Sequence, residues 1–180
     1  STLDDTVLDI LPVRRPRDSN LRSAVVALAP RSRVVAHLDL LTAAGLEPQA
    51  IDIGPAALAR LARAVVTGAP RANLLLINFG TENSYFSLLW GRRLMFDRSL
   101  AIGEKRLAAT LASNLDLTLE RALALLRKHG LNSHGDEIAE TIGELLQPDF
   151  QYLALEVNRI LIYFASQTHG GSVEGIYLAG

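Results

Sequence analysis

The sequence predicts an α/β fold in two parts, and three patterns point to it. Short runs of β-branched and apolar residues, such as Ser-Ala-Val-Val-Ala-Leu-Ala at 23–29, alternate with segments whose apolar residues recur at helical spacing. Past residue 71, three strand-like runs follow one another with only short turns between them, as in an antiparallel meander. A long helical stretch and a final strand-like run then close the chain.

Composition sets the outer limits. Of 180 residues, 49% are hydrophobic and 21% charged, enough apolar side chain for one sizeable core or two small ones. High apolar content with a net charge of -1 argues against disorder, and a nearly neutral chain has no global field for nucleic acid or anionic lipid. With no cysteine, disulfides and thiolate metal sites are excluded, and a reducing compartment is permitted. No apolar run approaches the ~20 residues of a membrane span, and Ser1 to Asp5 is not a signal peptide. These features fit a soluble cytoplasmic domain. The chain opens without a clear first element and stops on Ile176-Tyr177-Leu178-Ala179-Gly180, a strand running into a loop. It is therefore expected to be an internal piece of a longer protein.

The elements follow in order. Residues 7–13 are a short apolar stretch broken by Pro12, and 14–20 are polar and basic. The run 23–29 reads as a buried strand. After Pro30, Val34, Leu38, Leu41 and Ala44 mark a helix that Gly45 stops. Residues 50–53 read as a short strand. Pro55 suits the first turn of a helix whose buried stripe is expected at Leu58, Leu61, Ala62 and Val65. Residues 67–71 (Thr-Gly-Ala-Pro-Arg) are the clearest boundary. Strands are then expected at 73–79, 85–90 and 94–100, with a hairpin turn at Gly91-Arg92. Helices at 105–115 and 119–128 flank Asp116-Leu117-Thr118, where Thr118 can cap the second. A loop at 130–135 leads to a helix at 136–146. Pro148 is expected to begin a separate long helix with Leu153, Val157, Ile160, Leu161 and Phe164 along one face. Gly170-Gly171 ends it, and 173–178 is the closing strand.

The chemistry-bearing candidates are few. Leu74-Leu75-Leu76-Ile77 runs into Asn78-Phe79-Gly80-Thr81-Glu82-Asn83-Ser84, a strand followed by a glycine-bearing turn. Such a turn lets backbone N–H groups approach a phosphate closely, because glycine has no Cβ to clash. Gly80 and Thr81 fit a plain tight turn equally well. His129 and His134 flank a loop, but no Asp, Glu or Cys cluster joins them, so a metal site is set aside in favour of a solvated loop. The helices around Asp116-Leu117-Thr118 mimic a helix-turn-helix. The second carries Leu119, Leu123 and Leu126 where base-reading polar residues belong, so core packing is the better account. Arg14, Arg15 and Arg17 are the one basic cluster, too small for lipid attachment. Scattered Ser, His and Asp show no catalytic spacing, and no catalytic residue is assigned.

Several of these features together resemble the PilM-like proteins of type IV pilus assembly, a branch of the actin-like (FtsA-type) superfamily with a ribonuclease H-like core. The turn after Ile77 is similar to that superfamily's second phosphate motif, Asp-x-Gly-x-x-x-Thr/Ser, with Asn78 in place of the acid. Gly91, Arg98 and Gly103 match the hairpin glycine, the Arg-x-Ile and the following glycine of the family. Glu156-Val157-Asn158-Arg159 with Tyr163-Phe164 resembles its Glu-Ile-x-Arg helix. Gly175-Ile176-Tyr177-Leu178-Ala179-Gly180 resembles the strand before the adenosine-binding Gly-Gly loop. Ala43-Ala44-Gly45-Leu46 followed by Ile51-Asp52-Ile53 resembles the passage that closes the family's small 1C subdomain.

What the resemblance implies is specific. Residues 1–66 would be a 1C-like α/β subdomain, and 67–180 a domain II fragment: β-meander, helical insert, long helix and closing strand. The implied role is a non-catalytic scaffold of the inner-membrane platform of a type IV pilus or type II secretion machine, related to the secretion L-type cytoplasmic protein. It would bind the cytoplasmic tail of a PilN-like membrane protein, with an assembly ATPase as a further partner, no nucleic acid and no insertion into the membrane. The exposed faces of residues 7–13 and of the helix at 31–44 are the candidate docking surface. A degenerate nucleotide site would comprise Asn78, Gly80, Thr81, Gly103 and Gly180. Asn78 binds a divalent cation less well than a carboxylate. ATP-binding members carry Ala-Glu-x-x-Lys where Ala122-Leu123-Ala124-Leu125-Leu126 stands here, so no ATP or magnesium cofactor is expected. The alternative is a nucleotide-binding actin-like ATPase of the FtsA kind, or a sugar kinase of the same superfamily, whose sugar-binding acids and catalytic Asp are not identifiable.

Overall fold

The structure is a computed structural model that describes residues 3–13, 23–66, 71–91, 93–131 and 135–180. Arg14, Arg15, Arg17, most of the boundary at 67–71, Arg92 of the hairpin turn and His134 lie outside these residues. A two-stranded antiparallel sheet comes first, β1 (Thr6–Val13) against β2 (Ser23–Pro30), with Thr6 opposite Pro30 and Val13 opposite Ser23. Pro12 lies inside β1 opposite Ala24 and does not break it. Both strands of a two-stranded sheet are edges, where proline is tolerated.

The β2 run is not the buried strand its composition predicts. Val26 and Leu28 are 51% and 61% exposed, because the thin ladder has little packed against it. Helix α1 (Arg31–Ala43) follows and has no buried residue. Its expected stripe of Val34, Leu38 and Leu41 is the half-buried face, so the periodicity is right although the covering layer is thin. At its end Gly45 is left-handed, and the Leu46 N–H donates to the Leu41 carbonyl at 3.0 Å.

Residues 50–53 are not a strand. They join no ladder, and the Asp52 carboxylate accepts the Ile53 N–H at 2.9 Å and pairs with Arg60. Helix α2 (Gly54–Val65) then buries Ala56, Ala59 and Ala62, whereas Leu61 and Val65 are exposed. The expected leucine stripe is thus displaced around the helix. Small alanines let the backbone press close to the sheet below, and Leu58 reaches that core only from its margin.

The larger sheet has the order β5-β4-β3-β6. Strands β3 (Leu74–Phe79), β4 (Ser84–Trp90) and β5 (Arg93–Leu100) form the antiparallel meander, and Gly91 turns between the last two at φ +53°. Strand β6 (Gly175–Ala179) pairs with β3 in parallel. Asn73 joins three segments: its Oδ1 accepts the Gly91 N–H, its Nδ2 donates to the Ser172 carbonyl, and its own N–H donates to Glu174 Oε1. Strand β3 is buried on both faces, as its unbroken apolar run requires. Leu74 and Leu76 pack beneath α2 with Leu89 and Leu94. Leu75 and Ile77 pack with Phe86, Leu88, Ile160 and Phe164 on the opposite side.

Three helices lie between β5 and β6: α3 (Glu104–Leu115), α4 (Leu119–His129) and α5 (Glu137–Gln167). Thr118 caps α4 by accepting the Arg121 N–H at 3.3 Å. The helix expected at 136–146 and the one expected to begin at Pro148 are a single 31-residue helix with Pro148 inside. Proline removes one helical hydrogen bond, but tertiary contacts hold the residues on either side. Leu146 is in the core shared with Leu107, Leu111, Ala122, Leu126 and Ile142, and Asp149 is anchored to α3.

Candidate functional site

The end of β3 is where the expected nucleotide-site residues meet. Asn78, in the last pair of the β3–β6 ladder, lies opposite Ala179, which Gly180 follows. Gly80 and Thr81 form the turn into β4, and Gly103 precedes α3. A Cβ on Gly103 would lie 2.5 Å from the Gly80 carbonyl oxygen and 2.7 Å from that of Thr81. A Cβ on Gly180 would lie 2.4 Å from the Phe79 carbonyl oxygen. Glycine at these places is therefore required by backbone packing.

The same closeness decides what the turn offers a ligand. A helix N-terminus attracts anions because its first N–H groups lack partners. In α3 those groups are taken: Glu104 and Lys105 donate to the Gly80 and Thr81 carbonyls at 3.0 and 2.9 Å, and Arg106 and Leu107 donate to Gly103. The charges nearby are also engaged. Lys105 Nζ lies 2.5 Å from Glu82 Oε1, and this hydrogen bond holds the Glu82 carboxyl below its usual range. Arg127 grips both oxygens of Glu104 at 2.6 and 2.8 Å and lowers that carboxyl likewise. Leu126 is buried and Leu123 partly so, both within the core of the helical insert. No group of three metal-ligating side chains occurs among the described residues.

Two further clusters take shape around carboxylates of α5. Glu156, of the Glu-Val-Asn-Arg run, is only 1% exposed. Its Oε1 accepts from Arg159 Nη1, and its Oε2 faces Arg98 Nη1 at 3.1 Å, close enough for an ion pair but not aligned as a hydrogen bond. About two turns earlier on α5, Asp149 accepts from Arg106 Nε and from Thr110 Oγ1, each at 2.7 Å. Arg106 also lies over the Tyr152 ring, 4.9 Å from its centroid. Asp149 and Glu156 fall on the same helical face as Ile160 and Phe164, at positions where helical periodicity predicts burial. That coincidence of charge and buried register was the available signal for both.

His129 does not lie in a metal cluster among the described residues. Its Nδ1 is 2.7 Å from Asp136 Oδ2, and Asp136 caps α5 by accepting the Ile138 and Ala139 N–H groups. The histidine bond holds the Asp136 carboxyl below its ordinary range. Asp97 shows the opposite behaviour. Burial raises its carboxyl, although Ser87 Oγ donates to it at 2.7 Å.

On the small sheet, Val7, Leu8, Ile10, Val26 and Leu28 are exposed, as are Val35 and Leu40 on α1. An open groove runs where β1 begins and β2 gives way to α1, lined by Thr6, Leu28, Pro30, Arg31 and Val35.

A family model described as type IV pilus assembly protein PilM matches residues 2–180. A solved structure, the PilM-PilN type IV pilus biogenesis complex, superposes with a TM-score of 0.72 at 26% identity, covering 97% of this chain and 49% of that one. The ethanolamine utilization protein EutJ from Carboxydothermus hydrogenoformans superposes with a TM-score of 0.59 at 16% identity, covering 78% of this chain and 45% of that one, a likeness of fold alone. Both are actin-like proteins, and the fold of this chain is actin-like too. The chain spans about half the length of each of these two structures. No curated protein matches it.

Proposed function

Because this chain belongs to the type IV pilus assembly protein PilM family, matched over residues 2–180, we propose that it is a non-catalytic scaffold of an inner-membrane assembly platform. In this reading residues 1–66 are a 1C-like subdomain and 67–180 a domain II fragment. The separate hydrogen-bonded ladders support that division, and α2, with Val13 and Val25 of the small sheet, packs across it. No helix among the described residues is long and apolar enough to cross a membrane. Residence in the cytoplasm, held at the inner membrane by a partner, is part of the same proposal.

The observation that carries the reading is the exposed apolar surface of β1, β2 and α1 with its groove. A solvent-facing row of aliphatic side chains beside a groove suits an apolar peptide, and the partner proposed is the cytoplasmic tail of a PilN-like membrane protein. A pull-down with that tail peptide tests it. Deleting residues 1–53 keeps α2 on the larger sheet and is expected to abolish capture, and Leu28→Ser with Val35→Ser to weaken it. Capture that survives the deletion refutes the placement.

The glycine-lined turn is proposed as a degenerate nucleotide site. Asn78 is neutral, the α3 amides are already bonded within the chain, and leucines stand where ATP-binding relatives have Glu and Lys. Calorimetric titration with Mg-ATP is expected to give no heat at micromolar concentrations. The convergence of Gly80, Gly103 and Gly180 favours the rival reading, an ATP-handling member, and micromolar affinity in that titration would establish it.

A further inference from the structure

We propose that Arg98, Arg106 and Arg159, with Leu155 and Ile162 beside them, form a docking face for an acidic amphipathic helix of a partner protein. The face is separate from the small sheet and from the glycine-lined turn. It consists of one side of α5 with the strand and helix that flank it.

Three arginines, from β5, α3 and α5, pair with two buried carboxylates of α5. Asp149 and Glu156 are seven residues apart on α5, which spaces them by about 10 Å along the axis. Each orients a guanidinium that remains open to solvent: side-chain exposures are 43% for Arg106, 44% for Arg98 and 67% for Arg159. Each arginine meets its carboxylate through one nitrogen, Nε of Arg106 and Nη1 of the other two. A guanidinium carries five N–H donors, so each retains donors for a second carboxylate. The buried acids hold these long side chains in place, which reduces the ordering cost of binding. Three positive charges against two negative ones leave these paired groups net positive on a chain of net charge -1.

The apolar half of the face is on the same helix. Leu155, Arg159 and Ile162 occupy positions i, i+4 and i+7, one surface of α5, and Leu155 and Ile162 are exposed by 59% and 63%. Leu155 also lines a shallow groove with Gln151 and Ala154. An aliphatic–basic–aliphatic surface is complementary to a helix with glutamates flanked by leucines. Charge complementarity selects such a partner over a basic segment or a plain apolar one.

The test uses fluorescence anisotropy of a labelled helical peptide with two glutamates one turn apart between leucines, and a second peptide with glutamine at those positions. The acidic peptide is expected to bind at least fivefold more tightly than the neutral one, and to weaken with added salt. Arg98→Gln with Arg159→Gln should abolish that preference, and Leu155→Ser with Ile162→Ser should weaken both peptides. Glu156→Gln removes the charge that orders Arg98 and Arg159 while keeping both arginines, so it should weaken acidic-peptide binding without abolishing the preference over the neutral peptide. A purely structural role predicts that the arginine pair and Glu156→Gln alter the unfolding midpoint alike and leave binding unchanged. Equal binding of the two peptides, binding unaffected by the arginine substitutions, or burial of Leu155 and Ile162 in a self-dimer seen by sedimentation would overturn the proposal.

Discussion

Single residues in this chain are governed by how closely backbones and charges are brought together. Gly103 sits against two carbonyl oxygens, and neither is the movable end of a side chain. Gly103→Ala is therefore expected to cost about 1–3 kcal/mol, the range for forcing extra volume into a packed site, read from urea unfolding. Asp97 is perturbed by burial. Its carboxyl is raised above 3.8, so the folded state favours the protonated form. That contribution is fully present below the ordinary value and is lost as pH rises through the raised one. Asp97→Asn keeps an acceptor for Ser87 and removes the charge. It should match the native protein in acid and exceed it at pH 7, by less than about 1 kcal/mol because solvent screens a half-buried group. An unchanged difference between pH 3 and pH 7 would contradict the assignment. Glu156 teaches a related lesson. A glutamate three residues before an arginine reads as a surface pair, and only the third partner, 58 residues away on β5, makes burial tolerable.

At the level of elements, sequence periodicity located nearly every helix and strand but misjudged what covered them. The meander was legible because short apolar runs meet at tight turns, and the cap at Thr118 because its hydroxyl precedes a regular stripe. Burial in β2 was not legible, since a β-branched run looks the same whether or not a second layer lies over it. In α2 the large side chains misled, because the alanines determine how near a helix can come to a sheet. The candidate site was half visible: the glycines could be named, but the α3 amides that fill the turn could not, because they arrive from across a hairpin. Helix α5 is the clearest override of local preference. Pro148 lacks the N–H that would bond to Glu144, so Pro148→Ala should restore a bond and stabilise the protein by roughly 1–3 kcal/mol in thermal unfolding. No gain would mean that the proline conformation is itself required for the Asp149 anchor.

For the molecule as a whole, the organising fact is one central strand served from four directions. β3 holds β4 beside it, β6 on its other edge, and apolar layers above and below. The small sheet contributes only marginally to those layers, through Val13 and Val25, which leaves most of its own apolar surface free. The scaffold reading depends on that inequality. A surface belonging to the main core could not exchange water for a peptide without unfolding, whereas β1, β2 and α1 can.

The parallel pairing of β3 with β6 also has a kinetic meaning. Asn73 and Glu174, bonded to each other at the start of that ladder, are 101 residues apart, and the whole three-helix segment intervenes. Closing so large a loop is slow until its contents are compact, whereas the meander needs only short closures. Refolding should therefore proceed in two stages. In pulsed hydrogen exchange, amides of β4 and β5 would gain protection early and those of β6 last, and simultaneous protection would exclude this order. Until that last strand arrives one side of β3 is an open edge, so the interval before closure is when the chain is most prone to pair with another molecule.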